Sequence, residues 1–292
     1  MKILILGASG LIGHKLLQKL RGRFDDVTAV LHGSAERFSS TGLFDGRNIV
    51  ENVDVFDFSA VGILLDSTRP DVILNCAGIT KRRPEINEPI RAIKVNSLFP
   101  HLLAEWAGEN NCRVIHFSTD CVFNGKDGNY DENSPTNGDD AYGRTKALGE
   151  IRYDHCLTIR SSFIGRELSV HSELLDWFLQ QKGKTIKGFT RAMYSGISTI
   201  EMARIVGDII EYHPDIGGLH QLSKLEPISK YDLLCLAKKS FGLDVEIVPD
   251  DDFEIDATLN GSLLRSKMPI ELPSWARMMD ELAAEQSLYR NL

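Results

Sequence analysis

Short apolar runs alternate with longer amphipathic segments through the first half of the chain. Each run is bounded by glycine or polar positions, a pattern that indicates a strand buried on both faces. The segments between the runs repeat apolar residues every three or four positions, as amphipathic helices do. The predicted strands are residues 2–6, 27–31, 49–53, 72–76, 114–118 and 157–160, and the helices are residues 11–20, 90–109 and 142–151. This alternation predicts an α/β protein with a doubly wound parallel sheet of the Rossmann type.

The pattern is looser after residue 165. Helices are expected at 172–181, 200–212, 229–241 and 273–288, a short run at 185–189 precedes a turn-rich stretch at 190–195, and one more strand is expected at 218–223. That last strand can rejoin the main sheet. We therefore predict a sheet domain over residues 1–165, and a smaller α/β region over residues 166–292 that is built onto it.

Composition narrows the class of protein. With 42% hydrophobic and 25% charged residues among 292, the chain resembles an ordinary soluble globular protein. Its net charge of −8 argues against nucleic-acid binding, because that function needs a dense basic surface. No apolar run approaches membrane-spanning length, so no membrane association is expected. The chain begins on a strand-like run without a leader pattern, and we expect a cytoplasmic protein.

The cysteines and histidines give no sign of a metal site. The five cysteines are odd in number and scattered, without a CxxC motif. The eight histidines are dispersed as well. We expect reduced thiols and no bound metal.

Three glycines in the stretch 7–13 follow the first strand and open the first helix. Glycine permits a tight turn and lets the backbone approach a pyrophosphate, which the helix N-terminus then holds. The spacing GxxGxxG is typical of short-chain dehydrogenases/reductases, although a tight turn without a ligand is the alternative. The residues expected to bind a dinucleotide cofactor here are Gly7, Ser9, Gly10, Leu11, Ile12 and Gly13.

The end of the second strand bears on the choice of cofactor. An Asp or Glu there would bind the ribose 2′-hydroxyl of NAD. The chain instead carries His32, Ser34 and Arg37, which can receive a 2′-phosphate. The pattern favours NADPH, and use of NADH stays open.

Two further strand ends belong to the expected cofactor site. Asp54 and Val55 follow the third strand, where Asp54 can accept a hydrogen bond from the adenine amino group, whereas Asp57 is expected to cap a helix. Small residues end the fourth strand, as is needed where a cofactor crosses the sheet edge. They include Cys76, Ala77 and Gly78.

Tyr142 and Lys146 are four residues apart on a predicted helix, so their side chains share a face. A nearby ammonium favours the phenolate, and we therefore expect Lys146 to lower the pKa of Tyr142 toward the range useful for proton transfer. The fifth strand ends in Ser118 and Thr119, at the sheet edge where ligands bind in this architecture. A hydroxyl, a tyrosine and a lysine thus form one candidate catalytic set.

With these motifs, the chain resembles the extended short-chain dehydrogenases/reductases and, within them, the dTDP-4-dehydrorhamnose reductase family. The matching stretches are residues 7–13, 118–120, 122–125 and 160–162, together with Tyr142 and Lys146. They cover the first half of the chain specifically, and the second half only in its pattern of elements.

The resemblance implies an NAD(P)H-dependent reduction of a nucleotide-linked 4-keto-6-deoxy sugar. By position, it implies that Thr119 hydrogen-bonds the substrate carbonyl and that Asp120 contacts the sugar. It further implies that Tyr142 supplies the proton, and that Lys146 binds the nicotinamide ribose.

Two positions depart from the family pattern and leave the identity of the sugar open. Cys121 stands where the family usually has tyrosine, and Phe163 stands where a tryptophan often lines the sugar pocket. In the stretch 190–196, Arg191 is a candidate for the substrate pyrophosphate, and a solvated loop is the alternative.

Two rival functions remain. A nucleotide-sugar dehydratase or epimerase shares the expected fold, but a dehydratase commonly needs a Glu where Cys121 stands. A non-catalytic NADP-binding regulatory subunit is the second rival, since the regulatory subunit of methionine adenosyltransferase is similar to this reductase family. The oligomeric state is open, with a homodimer expected for such folds.

Overall fold

The computed structural model describes residues 1–46 and 48–290. Its strands are β1 (Lys2–Leu6), β2 (Asp26–Val30), β3 (Ile49–Val50), β4 (Val72–Asn75), β5 (Arg113–Thr119), β6 (Cys156–Ser161), β7 (Phe163–Ile164), β8 (Thr185–Tyr194), β9 (Ile197–Ser198), β10 (Gly218–Gln221), β11 (Ile228–Ser229) and β12 (Glu246–Asp256). Its α-helices are α1 (Gly13–Leu20), α2 (Phe58–Thr68), α3 (Pro89–Ala92), α4 (Phe99–Glu109), α5 (Ala141–Leu148), α6 (Leu174–Leu179), α7 (Thr199–Tyr212), α8 (Lys230–Phe241), α9 (Ser262–Lys267) and α10 (Trp275–Ala284). None of the described helices is long and apolar enough to cross a membrane.

A parallel sheet of seven strands organises the molecule. Its strand order is β10-β6-β5-β4-β1-β2-β3, and every neighbouring pair is parallel. The order reverses between β1 and β4, where ligands bind beyond the carboxyl ends of the strands. The predicted doubly wound sheet is confirmed. Strand β10, from the second half of the chain, lies at the edge of this sheet beside β6.

The apolar runs of the sequence are buried because helices cover both faces of the sheet. On one face, α1 and α7 pack over β1 through residues such as Leu16 and Ile205. On the other face, α2 and α4 contribute Leu65 and Leu103. Full burial of one such side chain contributes about 1.5–3 kcal/mol to folding. A strand covered on both sides can therefore be apolar along its whole length.

The predicted helix at 90–109 is divided in three. A π-helical segment, Ile93–Leu98, separates α3 from α4. Within it, the Asn96 amide bonds both backbone groups of Ile79, at 2.8 and 2.9 Å, and donates to Thr145 at 3.2 Å. The amide therefore ties the loop after β4 to helix α5. The expected cap is confirmed, since the Asp57 carboxylate accepts backbone hydrogens at the start of α2.

The turn-rich prediction at 190–195 is wrong. Strand β8 continues to Tyr194, because β12 pairs alongside it and places Arg191 opposite Glu254. Strand β12 was not predicted, since its sequence contains a proline and three consecutive aspartates, which are rare in strands. Pairing with β8 outweighs these local preferences.

Candidate active site

The turn between β1 and α1 needs glycine at both ends. Gly7 has φ of +74°, and a Cβ there would lie 2.9 Å from the backbone nitrogen of Ala77. A Cβ on Gly13 would overlap the carbonyl oxygen of Gly7. The turn is closed by a hydrogen bond of 3.0 Å from Gly10 N to Gly7 O. It therefore lies flat against the ends of β1 and β4, at the N-terminus of α1, where a pyrophosphate can be held.

A cleft of about 240 Å3 opens at this end of the sheet. The expected cofactor residues that line it are Gly7, Ser9, Gly10, His32, Asp54, Val55, Cys76, Ala77 and Gly78. Leu11, Ile12, Gly13, Arg37, Tyr142 and Lys146 are not among its lining residues. Gly13 instead allows the close turn to form. Arg37 lies in the short helix Ala35–Thr41, and its guanidinium is near Gly33.

The cleft is lined by charged groups of both signs, with Arg91 and His32 near Asp54. Arg91 lies 3.5 Å from the Asp54 carboxylate, and the His32 ring nitrogen Nδ1 is 3.9 Å from the same group. The Lys94 ammonium lies 4.2 Å from the centre of the Phe56 ring, which Arg91 also faces at 5.7 Å. Arg91 and Lys94 were missed in the sequence, although their spacing on a predicted helix placed them on one face. Arg91 lines the cleft, with its guanidinium paired with the Asp54 carboxylate, whereas Lys94 is not among the lining residues.

Thr119 ends β5 and begins the next turn. Its hydroxyl donates to the Asp120 carboxylate at 3.1 Å and accepts the Cys121 backbone hydrogen, also at 3.1 Å. Burial raises the pKa of Asp120, while the hydrogen bond from Thr119 acts in the opposite direction. The pair predicted from the sequence thus forms one hydrogen-bonded unit.

Helix α5 carries Tyr142 to this strand end. The Asp140 carboxylate caps the helix by accepting from Gly143 N at 2.7 Å. A Cβ on Gly143 would overlap the Cys121 carbonyl oxygen, so glycine allows the helix to approach the turn closely. Tyr142 packs against an apolar cluster that includes Ile79 and Val95, two residues of the cleft wall. The phenol therefore lies beside the cleft, close enough to Thr119 for that residue to influence its pKa.

The expected effect of Lys146 on Tyr142 is not observed. Burial raises the pKa of Tyr142 well above its ordinary value, and the Asp120 carboxylate acts in the same direction. The Lys146 ammonium is turned to β5 instead, where it donates to the Phe117 carbonyl oxygen at 2.6 Å. Burial lowers the pKa of Lys146 to about 8, although the Glu150 carboxylate acts in the opposite direction. Desolvation thus outweighs the attraction expected from helical spacing.

The structure places the predicted sugar-binding residues Phe163 and Arg191 in different surroundings. Phe163 on β7 packs edge-on to Phe117, with ring centres 6.2 Å apart, just beyond the end of β6. Arg191 is about half exposed and is paired with Glu254. Its expected role toward the substrate pyrophosphate stays a prediction.

Several polar residues of the site were missed in the sequence. Tyr194, buried beside Ser162, and the largely buried Glu173 lie close enough to influence Asp120 and Tyr142. Burial raises the pKa of Glu173. No local signal marks these residues, because strand β8 and the start of α6 reach the site only through tertiary packing.

One group of carboxylates meets the spacing of a metal site within the described ranges. The side-chain oxygens of the sequential aspartates Asp250, Asp251 and Asp252 lie within 4.8 Å of one another. They are on β12, and Lys187 holds the Asp250 carboxylate at 2.7 Å. The prediction of no bound metal is left as a prediction.

Comparison with known proteins agrees with this geometry. A protein of Streptomyces antibioticus named probable dTDP-4,6-dihydroxy-2-methyloxan-3-one 4-ketoreductase is 34% identical over 152 residues, 51% of this chain and 45% of the relative. The chain spans about half the length of the curated reductases that it matches. Methionine adenosyltransferase 2 subunit beta of Xenopus tropicalis is 25% identical over 273 residues, 88% of this chain and 77% of the relative.

A solved structure shows the same fold. The dTDP-4-dehydrorhamnose reductase of Bacillus anthracis in complex with NADP has a TM-score of 0.80 and 18% identity, covering 98% of this chain and 100% of the other. Residues 1–242, well over half of the chain, match the family model described as RmlD substrate binding domain. The chain therefore belongs to the RmlD substrate binding domain family.

Proposed function

We propose that the chain is an NADPH-dependent reductase of a nucleotide-linked 4-keto-6-deoxy sugar, with NADH as the alternative cofactor. One observation carries the proposal: helix α5 closely approaches the turn that follows Thr119 at the end of β5, and Tyr142 on that helix packs against an apolar cluster that lines the cleft. Cys76, which lines the cleft, is also a neighbour of Lys146. The candidate catalytic set therefore adjoins the cofactor cleft.

The residues present fit a dinucleotide with a 2′-phosphate. The backbone turn at Gly7 and Gly13 leaves no room for side chains and suits a pyrophosphate. Arg91 lies in the cleft lining with His32, where it is paired with the Asp54 carboxylate. The related fold from Bacillus anthracis binds NADP. These features support NADPH.

The proposed mechanism assigns one task to each residue. When bound, the nicotinamide would supply the hydride for C4 of the sugar, leaving the carbonyl electron pair on oxygen. The Thr119 hydroxyl, which donates to Asp120 in this structure, would turn its hydrogen to that oxygen, and Tyr142 would give the oxygen a proton. Because its pKa is raised, the Tyr142 phenol keeps that proton throughout the neutral range. Lys146 would hold the cofactor ribose.

The protonation state of Cys121 argues against dehydration of the sugar. Burial raises the pKa of this thiol to about 12, and the neighbouring Asp120 charge adds to the effect. Cys121 is therefore a neutral thiol near pH 7 and a poor replacement for the Glu that a dehydratase uses. Incubating the substrate without NADPH and finding a dehydrated sugar would reverse this choice.

A regulatory role is the other alternative, and the relative from Xenopus tropicalis motivates it. The presence of Thr119, Tyr142 and Lys146 together favours catalysis. A pulldown that recovers a stoichiometric catalytic partner, with no reduction of any 4-keto sugar, would favour the regulatory role. A homodimer and a cytoplasmic location stay predictions, which light scattering and cell fractionation can measure.

The first test compares Tyr142→Phe with wild type in a screen of dTDP- and UDP-linked 4-keto-6-deoxyhexoses. The oxidation of NADPH measures turnover. Loss of the general acid is expected to lower kcat about 100- to 10,000-fold and to leave NADPH binding nearly intact. Tyr153→Phe is the matched control, because Tyr153 is exposed and bonds His101 away from the cleft. Turnover of Tyr142→Phe at the wild-type rate would rule out the assignment.

A further inference from the structure

A buried polar chain lies beneath the candidate active site. Lys146 Nζ is 3.2 Å from His116 Nε2, and His116 Nδ1 is 3.1 Å from the Asn75 side chain. All three side chains are almost completely removed from solvent. They come from β4, β5 and α5, so the chain crosses from the centre of the sheet to the helix that carries Tyr142.

The contact between Lys146 and His116 fixes the state of the imidazole. An ammonium has three hydrogens to donate and cannot accept. The Phe117 carbonyl oxygen takes one of them, and His116 Nε2 is placed to take a second. Nε2 can accept only if the ring is neutral with its hydrogen on Nδ1. Burial, followed by the Lys146 charge, lowers the pKa of His116 well below its ordinary value and keeps the ring neutral.

Asn75 completes the chain on the other side of the ring. In the structure, the Asn75 amide nitrogen Nδ2 faces His116 Nδ1. The Asn75 amide oxygen Oδ1 is buried without a partner among the described residues. The two amide orientations differ only in which atom is oxygen and which is nitrogen. Exchanging them puts Oδ1 where it accepts the Nδ1 hydrogen. That orientation satisfies the amide oxygen and selects the tautomer that Lys146 needs.

The other charged neighbours do not replace His116. The Glu150 carboxylate attracts Lys146, but its oxygens are already bonded by the buried Arg160, at 2.6 and 2.7 Å, and by the Ser118 hydroxyl, at 2.7 Å. Burial raises the pKa of Cys76, which is therefore an uncharged thiol. His101, on α4, also repels a proton on His116.

We infer that His116 is a positioning residue for Lys146. Asn75 holds the hydrogen of His116 on Nδ1, so that Nε2 and the Phe117 carbonyl oxygen each accept one ammonium hydrogen from Lys146. A single hydrogen then remains to bind the ribose hydroxyls of a nicotinamide cofactor. Only this last step rests on the proposed function; the tautomer and the tether of Lys146 do not.

The tautomer can be measured without any activity assay. Nitrogen-15 NMR of histidine-labelled protein, with the His116 signals assigned by their loss in His116→Gln, should show hydrogen on Nδ1 and an unprotonated Nε2 from mildly acid to neutral pH, where Lys146 is an ammonium. A hydrogen on Nε2 would overturn the inference, since the ammonium would then have nothing to donate to.

The tether is tested with two substitutions at the same position. His116→Gln keeps an acceptor near the place of Nε2, whereas His116→Phe keeps a ring without one. In His116→Phe, the alkaline limb of the pH profile of kcat/KM should shift to lower pH by about one unit. The value of kcat/KM at neutral pH should fall about tenfold. His116→Gln should stay within about threefold of wild type at neutral pH.

The matched control is His220→Phe. His220 is also buried in the main sheet, but among the described residues it bonds only the Gly217 carbonyl oxygen, at 3.1 Å. It should leave the alkaline limb in place. An unshifted limb in folded His116→Phe would refute the tether. Absence of reduction in wild-type protein would refute the proposed function, while the NMR result would still decide the tautomer.

Discussion

Burial sets the proton chemistry of the two residues at the centre of the site. It raises the pKa of Tyr142 and lowers that of Lys146 to about 8, because the neutral form is favoured in both cases. The phenol therefore keeps its proton over the neutral range, and Lys146 is the group that changes charge at about pH 8. The pH dependence of the proposed reduction should consequently report Lys146.

We predict that kcat/KM for reduction falls as pH rises through about 8, because the Lys146 ammonium loses its charge above its pKa. Below that pH the ammonium is present and the rate should be level until other groups titrate. Lys146→Arg keeps a positive charge at all accessible pH values. Its alkaline limb should therefore move up by more than one pH unit, even if the overall rate is lower. An identical limb in both proteins would show that another group controls it.

At the scale of elements, the site depends on how closely a few segments approach each other. The turn from β1 to α1 brings Gly13 against the Gly7 carbonyl oxygen, and α5 meets the turn after β5 at Gly143. Asn96, in the π-helical segment, ties the loop after β4 to Thr145 on α5. These contacts place the proposed phosphate-binding turn, a hydroxyl and a phenol at one edge of the sheet.

The substitution Gly13→Ala should disrupt the phosphate-binding turn, because its Cβ would overlap backbone that cannot move without shifting β1. Adding a methyl group to a well-packed site typically costs about 1–3 kcal/mol, and NADPH binding should weaken with it. Gly62→Ala in α2 is the matched control, since a Cβ there meets nothing within 4 Å. It should stabilise the protein by about 0.5–1 kcal/mol. Denaturant unfolding and cofactor titration measure both; an unaffected Gly13→Ala protein would contradict the close approach.

At the scale of the whole molecule, the second half of the chain helps to build the first. Strand β10 completes the sheet beside β6, and the final short helix, Gln286–Tyr289, packs on α1. There the Tyr289 hydroxyl is 2.9 Å from His14 Nε2, while His14 Nδ1 is 2.8 Å from the Gly10 carbonyl oxygen. The chain terminus thus supports the phosphate-binding turn across 275 residues. A division at residue 165 stays a prediction.

Tyr289→Phe should lower the free energy of unfolding by about 1–3 kcal/mol, because it leaves His14 Nε2 buried without a donor. Burial lowers the pKa of His14 to about 3, so the ring cannot escape this cost by taking up a proton near neutral pH. NADPH affinity should fall as well, whereas Tyr153→Phe should change neither property. Equal unfolding midpoints for Tyr289→Phe and wild type would show that this contact does not support the turn.

Much of the fold could be predicted from local pattern. The apolar runs gave the strands of the main sheet, because a strand covered on both faces must be apolar along its length. The bounds of helix α7 were predicted to within one residue, since apolar positions recur there with clear helical periodicity. The continuation of β8 and the whole of β12 could not be found, because their pairing partner lies about sixty positions away in the chain.

The sequence by itself determined which chemistry is available: a glycine turn, a strand ending in Thr119, and Tyr142 with Lys146 one helical turn apart. These follow from backbone geometry and from residue spacing, which are local properties. Only the tertiary structure decided that Tyr142 holds its proton more tightly and that Lys146 is bound by Phe117 and His116. The reason is desolvation, which depends on every segment packed around a group and therefore cannot be read from its neighbours in sequence.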